Sequence, residues 1–335
     1  MTGKLLRASN VTKIFGGGLM DAEPTVALRD FSLTIDPAKP AVTAVVGESG
    51  SGKTTLARLL LGLTPPTFGK ILYGEENIAT LGGSARGTYR TEVQAVFQDP
   101  YGVFNPFYRI DHVLTTPIRK FRLAKTRSEA LALIEQSLRA VGLRPEEIMG
   151  RYPHELSGGQ RQRTMVARAL LLKPKIIIAD EPVSMVDASL RATILSSLRN
   201  LTDSQGISIL YITHDLATAW QVSDNIIVMY RASAVEAGAS DSIVHTPAHP
   251  YTRLLVGSIP QVSLTRDWLS TENELIRPEG GTNSCRFASR CESAMEICLT
   301  RSPPLSLLAP RHAAACHLYG DMPSVTNENL DNVLS

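Results

Sequence analysis

No stretch of this 335-residue chain holds the roughly 18 consecutive apolar residues that a membrane-spanning helix needs. The N-terminus, Met1 to Arg7, runs into a strand-like segment without the apolar centre of a secretion signal. A cytoplasmic protein is therefore expected, and any passage through a bilayer would have to come from other chains. Charge of neither sign is in excess. The formal net charge is +2, which argues against nucleic acid or an anionic surface as the main partner. Cysteine is missing from the first 280 residues, and Cys285, Cys291, Cys298 and Cys316 all follow. So uneven a distribution does not suit a secreted disulfide framework and suggests a metal site. Internal repeats and low-complexity tracts are also lacking.

What is present is the composition of a well-cored protein, 43% hydrophobic and 20% charged. The length suffices for one large domain or two ordinary ones. The organising stretch is Gly47-Glu48-Ser49-Gly50-Ser51-Gly52-Lys53-Thr54-Thr55. The apolar run Ala41 to Val46 precedes it and a helix-like run, Leu56 to Leu63, follows. A strand entering a glycine-rich turn and leaving as a helix aims successive backbone N–H groups into one concavity, where a polyphosphate can sit. Gly47, Gly50 and Gly52 let the backbone come close to it. Lys53 adds a charge at the β/γ oxygens, and the Thr54 hydroxyl offers a ligand to Mg²⁺.

Residues 4–36 alternate apolar and polar around a glycine-rich interruption, Gly16 to Pro24, and read as two antiparallel strands. Phe15 stands just before the glycines, either as a core residue or as an aromatic face for a nucleotide base. Pro65-Pro66 ends the helix after the phosphate loop, and Val93 to Phe97 reads as a strand leading to Gln98. Residues 101–155 turn helical, as in Ser128 to Val141, and suggest an inserted helical subdomain. Beyond them, apolar strands (Lys175 to Ala179, Ile207 to Thr213, Asn225 to Tyr230) alternate with helices (Thr164 to Leu172, Leu190 to Leu201). This alternation predicts an α/β core around a parallel sheet. Ser240 to Ile259 reads as helix interrupted by prolines, and 260–282 as loop.

Asp180 and Glu181 end one buried strand, and adjacent strand residues face opposite sides, so different roles are expected. Asp180 suits a water-mediated hold on Mg²⁺, and Glu181 suits a general base. His214 ends a neighbouring strand, placed to meet a γ-phosphate. The Gln98 amide oxygen could reach Mg²⁺ or the attacking water. Ser157-Gly158-Gly159-Gln160 opens another helix and makes a second anion-binding terminus. One chain has little use for two γ-phosphate sites unless they face each other across a dimer. Four thiolates on short loops suit a tetrahedral site for Zn²⁺ or an iron–sulfur cluster, and spacing alone does not choose. His312 and His317 flank Cys316 and could stand in for a cysteine.

Leu156 to Gln160 resembles the signature motif of the ATP-binding cassette (ABC) ATPases. Gly47 to Thr55 is similar to their Walker A, and Ile176 to Glu181 to their Walker B with its catalytic glutamate. Gln98 resembles the Q-loop residue, His214 the switch histidine, and Asp187 the D-loop aspartate, while Phe15 sits where the family stacks adenine. Two departures stand out. Met185-Val186 replaces the usual Ala-Leu before Asp187, and the loop after Phe15 is longer than in many members. Phe97-Gln98-Asp99-Pro100-Tyr101 with Asn105-Pro106, Tyr152-Pro153-His154-Glu155 and His249-Pro250-Tyr251-Thr252 resemble the oligopeptide/dipeptide importer subgroup. The C-terminal cysteines are similar to those of subgroup members that hold a [4Fe–4S] cluster, which favours that cluster over Zn²⁺ and over free or disulfide-linked cysteines.

The resemblance implies an α/β fold with a P-loop NTPase core of ABC-ATPase type, an antiparallel β subdomain and an inserted helical subdomain. It assigns a nucleotide-binding domain to 1–255 (helical part about 101–155), a small Cys-containing C-terminal domain to 256–320, and a disordered tail to 321–335. ATP and Mg²⁺ would be bound by Phe15, Gly47, Ser49, Gly50, Ser51, Gly52, Lys53, Thr54, Thr55, Gln98 and Asp180. Ser157, Gly158, Gly159, Gln160 and Asp187 would serve the partner's site, and Glu181 with His214 and Gln98 would drive hydrolysis. Implied partners are two transmembrane permease subunits, an external solute-binding protein and a second ATPase chain. That chain is favoured to be a related one rather than another copy, although both are allowed. The expected location is peripheral, on the cytoplasmic face of the cell membrane. Cargo could be peptide, oligosaccharide, opine or nickel. The competing class is a soluble ABC ATPase of DNA repair or translation. It would need a long coiled-coil insertion or tandem heads, and this sequence has neither.

Overall fold

Four strands of almost purely apolar sequence form the centre of the molecule: β3 (Val42–Val46), β7 (Ile176–Asp180), β8 (Ser208–Thr213) and β9 (Asn225–Tyr230). They pair in parallel, β9-β3-β8-β7, and β6 (Val93–Val96) adds a fifth parallel strand beyond β7. Strands covered on both faces need apolar residues at every position, which is why the sequence shows continuous runs here rather than alternation. The computed structural model describes residues 3–16, 23–98, 104–184, 186–259, 283–325 and 333–334.

Each face of this sheet has its own cover. On one side, Val45, Ile176, Ile178, Leu210, Ile212, Ile227 and Met229 meet the helix α1 (Lys53–Leu60) through Leu56, Leu59 and Leu60. A second, antiparallel sheet closes over that helix. Its strands are β1 (Leu6–Phe15), β2 (Thr25–Ile35), β4 (Phe68–Tyr73) and β5 (Glu76–Asn77), in the order β2-β1-β4-β5. The helix α2 (Gly83–Glu92) leads from it into β6. On the other side, the alternate residues Val42, Ala44, Val46, Ile177, Ala179, Ile209 and Tyr211 pack against helices.

Those helices include the inserted segment. α3 (Ile110–Phe121), α4 (Arg127–Ala140) and the single turn α5 (Pro145–Ile148) lead to α6 (Gly158–Leu170). Ile110, Leu114, Ile118, Ile134 and Leu138 belong to the same apolar cluster as the sheet face, so the insertion shares the main core. α4 begins where the Thr126 hydroxyl accepts the Glu129 N–H, at 3.2 Å, and the Glu129 carboxylate accepts the Thr126 N–H, at 3.3 Å. This reciprocal cap contributes about 1 kcal/mol. α7 (Ala188–Gln205), α8 (Leu216–Val222), α9 (Ser240–His245) and α10 (Pro250–Gly257) complete the helical layer.

The C-terminal segment reaches the main sheet. β10 (Ser233–Ala239) runs antiparallel to β9, and β12 (His312–Ala315) pairs with β10 on its far edge. β11 (Leu305–Ala309) follows, and the large sheet reads β11-β12-β10-β9-β3-β8-β7-β6. The helix α11 (Glu296–Thr300) precedes this hairpin. The hairpin at the end of the cysteine segment thus extends the core sheet. Described residues near the C-terminal end also touch the core. The Val325 N–H donates to Leu305 O at 2.7 Å, Val333 is buried, and the Asn225 side chain donates to Leu334 O at 2.9 Å. The loop expected at 260–282 lies outside the described residues.

One buried acid fastens this joint. Glu236, in β10, is fully inaccessible. Its two oxygens accept the Ala248 and His249 N–H groups, both at 2.8 Å, and His312 Nε2 of β12 lies 2.7 Å from Oε1. Glu236→Ala would leave three buried donors without a partner, and a loss of about 3 kcal/mol is expected. The urea unfolding midpoint at constant m-value measures it.

Candidate functional site

The turn between β3 and α1 lies against neighbouring backbone at two glycines. A Cβ at Gly47, where φ is 156°, would stand 2.1 Å from Met229 O. At Gly52, where φ is 103°, it would stand 2.3 Å from Ala27 O. Gly52 caps α1 in the left-handed conformation without a side-chain partner for the helix terminus. The first N–H groups of α1 therefore remain for an external acceptor, at the positive end of the helix dipole. The Lys53 ammonium is buried inside the turn and donates to Gly47 O at 2.7 Å and Glu48 O at 2.9 Å. Burial pushes its pKa down, while the carboxylates of Glu181, Asp180 and Glu48 pull it back up.

Opposite the turn, three strand ends bring their residues together. Gln98 follows β6, Glu181 follows β7 and His214 follows β8. Gln98 Nε2 donates to Glu181 Oε2 at 3.0 Å, and His214 Nδ1 lies 3.0 Å from Glu181 Oε1. Thr54 Oγ1 lies 3.5 Å from Asp180 Oδ1, with Asp180 buried at the end of β7. Burial raises the Asp180 pKa, and the adjacent Glu181 raises it further, against the opposing hydrogen bond from Thr54. A divalent cation beside these two oxygens would remove that penalty. The donors, one hydroxyl and one carboxylate, fit Mg²⁺, which takes few protein ligands and fills its shell with water and phosphate oxygens.

The separation of Asp180 from Glu181 is not produced by strand alternation, as the sequence suggested. β7 stops at Asp180, and Glu181 takes a left-handed φ of 47° while its N–H donates to Ile212 O at 2.8 Å. A non-glycine residue in that region is strained by about 1–3 kcal/mol, a cost met most often at functional sites. The turn is what carries the carboxylate across to Gln98 and His214.

These groups line one open cleft of about 800 Å³, with Lys53, Gln98, Glu181 and His214 on its walls and Phe15 at its rim. Phe15 is 44% exposed, so the core-packing alternative is replaced by an open aromatic face; Lys13 Nζ sits 4.9 Å from the ring centre. The residues after Phe15 from 17 to 22 lie outside the described set.

Ser157 to Gln160 and Asp187 do not line this cleft. Ser157 is exposed at the start of α6, its hydroxyl accepting the Gln160 N–H at 3.2 Å while Gln160 Oε1 accepts the Ser157 N–H at 2.9 Å. Gly159 is where α6 meets α7, since a Cβ there would stand 2.8 Å from Leu190 Cδ1. That contact places Asp187, one turn before Leu190, near the α6 terminus. Met185 and Asp99 to Tyr101 lie outside the described residues.

The cysteines are grouped but not arranged as ligands. The Cys316 thiol is pushed up to about 11, first by burial and then by Cys285, Cys291 and Cys298. The Cys285 N–H donates to Cys298 O at 2.8 Å, and Cys298 Sγ accepts the Met295 N–H at 3.5 Å, which turns this thiol toward its own helix start. Among the described residues, no group of three or more His, Cys, Asp or Glu is placed to hold a metal ion. The expected [4Fe–4S] or Zn²⁺ site is therefore not formed in this arrangement. His312 and His317 do not substitute either. The first is committed to Glu236, and Nε2 of the second lies 2.9 Å from Arg301 O.

Sequence reasoning missed how Glu48 and Tyr251 are used. The Tyr251 hydroxyl accepts the Glu48 N–H at 2.9 Å, and the Glu48 carboxylate meets Arg290. His249, 1% exposed, accepts the Tyr251 N–H through Nδ1 at 3.1 Å, and burial lowers its pKa to about 4. It is a neutral structural histidine that fixes the start of α10.

Comparison with known proteins agrees with this geometry. Residues 28–184 match the family described as "ABC transporter", and 235–298 match "Oligopeptide/dipeptide transporter, C-terminal region". The chain is 39% identical, over 95% of its length and 91% of the relative's, to "Probable peptide ABC transporter ATP-binding protein y4tS" of Sinorhizobium fredii. It is 38% identical, over 84% of its length and 86% of the relative's, to "Oligopeptide transport ATP-binding protein AppF" of Bacillus subtilis. Among solved structures, the ATP-binding cassette MJ0796, a dimer in a post-hydrolysis state bound to ADP and Pi, superposes with a TM-score of 0.62. That match is 27% identical and covers 70% of this chain and 98% of the other. With the phosphate turn, the three strand-end residues and the fold in agreement, the chain belongs to the ATP-hydrolysing subunits of ABC transporters, in the oligopeptide/dipeptide transporter family.

Proposed function

We propose that this subunit works in a pair, each cleft closed by the partner's α6 terminus, and that closure and reopening drive import of peptides through separate permease chains. The carrying observation is the division of the anion-binding elements. The phosphate turn and Glu181 share one cleft, while Ser157 to Gln160 open a helix outside it, with Ser157 exposed. A nucleotide held by Lys53, Thr54 and Thr55, with its base on Phe15, would be covered only from a second subunit, with Asp187 beside the seam. A related chain as partner is favoured over a second copy. Mg²⁺ held by Thr54 and Asp180, with Gln98 near, would neutralise phosphate charge.

In this reading Glu181 takes a proton from the attacking water, and His214 and Gln98 hold its carboxylate in line. Gln98 also sits where the sheet meets the segment leading to α3, so occupancy of the cleft would be passed to the helical layer, about 101–155, that receives the permease. No described helix is long and apolar enough to cross a membrane. The subunit would therefore be peripheral, on the inner face, and an external solute-binding protein would choose the cargo. Peptide is the solute named for the relatives above.

Glu181→Gln keeps the side-chain shape and removes the base. ATP binding is expected to persist while turnover falls by about 100-fold or more. Steady-state hydrolysis and equilibrium nucleotide binding on the same preparation check it, and normal turnover would reject Glu181 as the base.

A second part of this reading is a [4Fe–4S] cluster on Cys285, Cys291, Cys298 and Cys316, for which the thiols would have to rearrange from the positions described above. Binding would require Cys298 to give up the Met295 N–H. Protein purified without oxygen is expected to contain iron and acid-labile sulfide in equal amounts. Zinc without iron, or neither metal, would overturn the assignment.

A further inference from the structure

Glu48 is an odd residue for a phosphate cradle, because a carboxylate facing the phosphates would repel them. The structure shows where it goes. Arg290 Nη1 lies 3.0 Å from Glu48 Oε1 and 3.1 Å from Oε2, so one nitrogen bridges both oxygens. The Glu48 N–H is taken by the Tyr251 hydroxyl at 2.9 Å, and its carbonyl accepts the Lys53 ammonium at 2.9 Å. Side chain, N–H and carbonyl are thus each held by a different element.

Arg290 stands against a packed aromatic block. The Arg290 guanidinium stands 5.7 Å from the Phe287 ring centre and 5.9 Å from that of Tyr230. The Tyr251 ring is 4.6 Å from Tyr230 and 5.6 Å from Phe287. Tyr230, Tyr251 and Phe287 are all buried. This aromatic block joins the end of β9, the start of α10 and the cysteine segment, and Arg290 projects from it onto the loop. The ion pair is partly open to solvent, with side chains 40% and 44% exposed, so it adds little to global stability. An exposed pair of small energetic worth can still fix the direction of a short loop, and misplacing a binding group by about 1 Å is enough to weaken it.

We propose that Arg290 is a positioning residue for nucleotide binding: acting through Glu48, it sets the phosphate turn and so makes ATP affinity depend on the cysteine segment. The inference rests on the nucleotide site described above and adds a residue that lies outside it. It assigns Arg290 no contact with the nucleotide and no part in the chemistry.

The test is a mutant cycle on the full-length chain, with trinitrophenyl-ATP binding read by fluorescence and ATP hydrolysis read in parallel. Arg290→Ala is expected to raise the Kd and the KM for ATP about three- to tenfold, with kcat within twofold of the parent. Glu48→Ala should raise the Kd by a similar factor, and the double variant should bind no more weakly than the weaker single. Arg290→Lys, which keeps the charge beside Glu48, should return affinity to within twofold. Unchanged affinity in Arg290→Ala, additive losses in the double variant, or failure of lysine to restore binding would each overturn the proposal. Binding that responds as expected in a chain that does not hydrolyse ATP would leave Arg290 in its role and reject the hydrolytic reading instead.

Discussion

Two backbone carbonyls, those of Met229 and Ala27, decide where the phosphate turn can lie. Each comes so near a glycine that no side chain could stand there. Met229 belongs to β9 and Ala27 to β2, so the turn is pinned between the two sheets before any ligand arrives. Everything else in the site follows from that pinning. Lys53 is drawn inward onto the turn's own carbonyls, α1 points its free N–H groups into the cleft, and Thr54 is brought beside Asp180. The cost of holding an ammonium in a buried place is only partly offset by the nearby carboxylates, and a polyphosphate would offset it more strongly.

The side opposite the turn is organised by strand ends rather than by helices. In a parallel sheet, functional residues gather where the strands finish. Gln98, Glu181 and His214 do so from three neighbouring strands, and the strain at Glu181 aims its carboxylate at the other two. The site is thus half backbone, the glycine turn and the helix end, and half side chain. The backbone half is fixed by packing and the side-chain half by hydrogen bonds.

This division explains what could be read from the sequence. The turn was legible because glycine spacing, a lysine and a flanking strand and helix are all local. Gln98, Glu181 and His214 were legible because each ends an apolar run, and Ser157 because it caps a helix with Gln160. The pairing of β10 with β12 was not legible. It joins residues far apart in the chain, and β10 is a short run of small residues around a glutamate. A buried acid such as Glu236 reads as a surface residue until its three donors are seen. The Glu48–Arg290 contact spans 242 positions and has no local signature. The left-handed turn at Glu181 was equally hidden, since nothing in its side chain announces it.

The stitching of the last hairpin into the main sheet bears on how the protein can be handled. A chain cut after α10, where the cassette would conventionally stop, would bare the far edge of β10 to solvent and deprive Glu236 of His312. An open strand edge of small apolar residues is a template for pairing with other molecules. The smallest fragment that folds as a clean monomer should therefore run past residue 315, and shortened versions would precipitate by edge-to-edge pairing even with every nucleotide-binding residue intact.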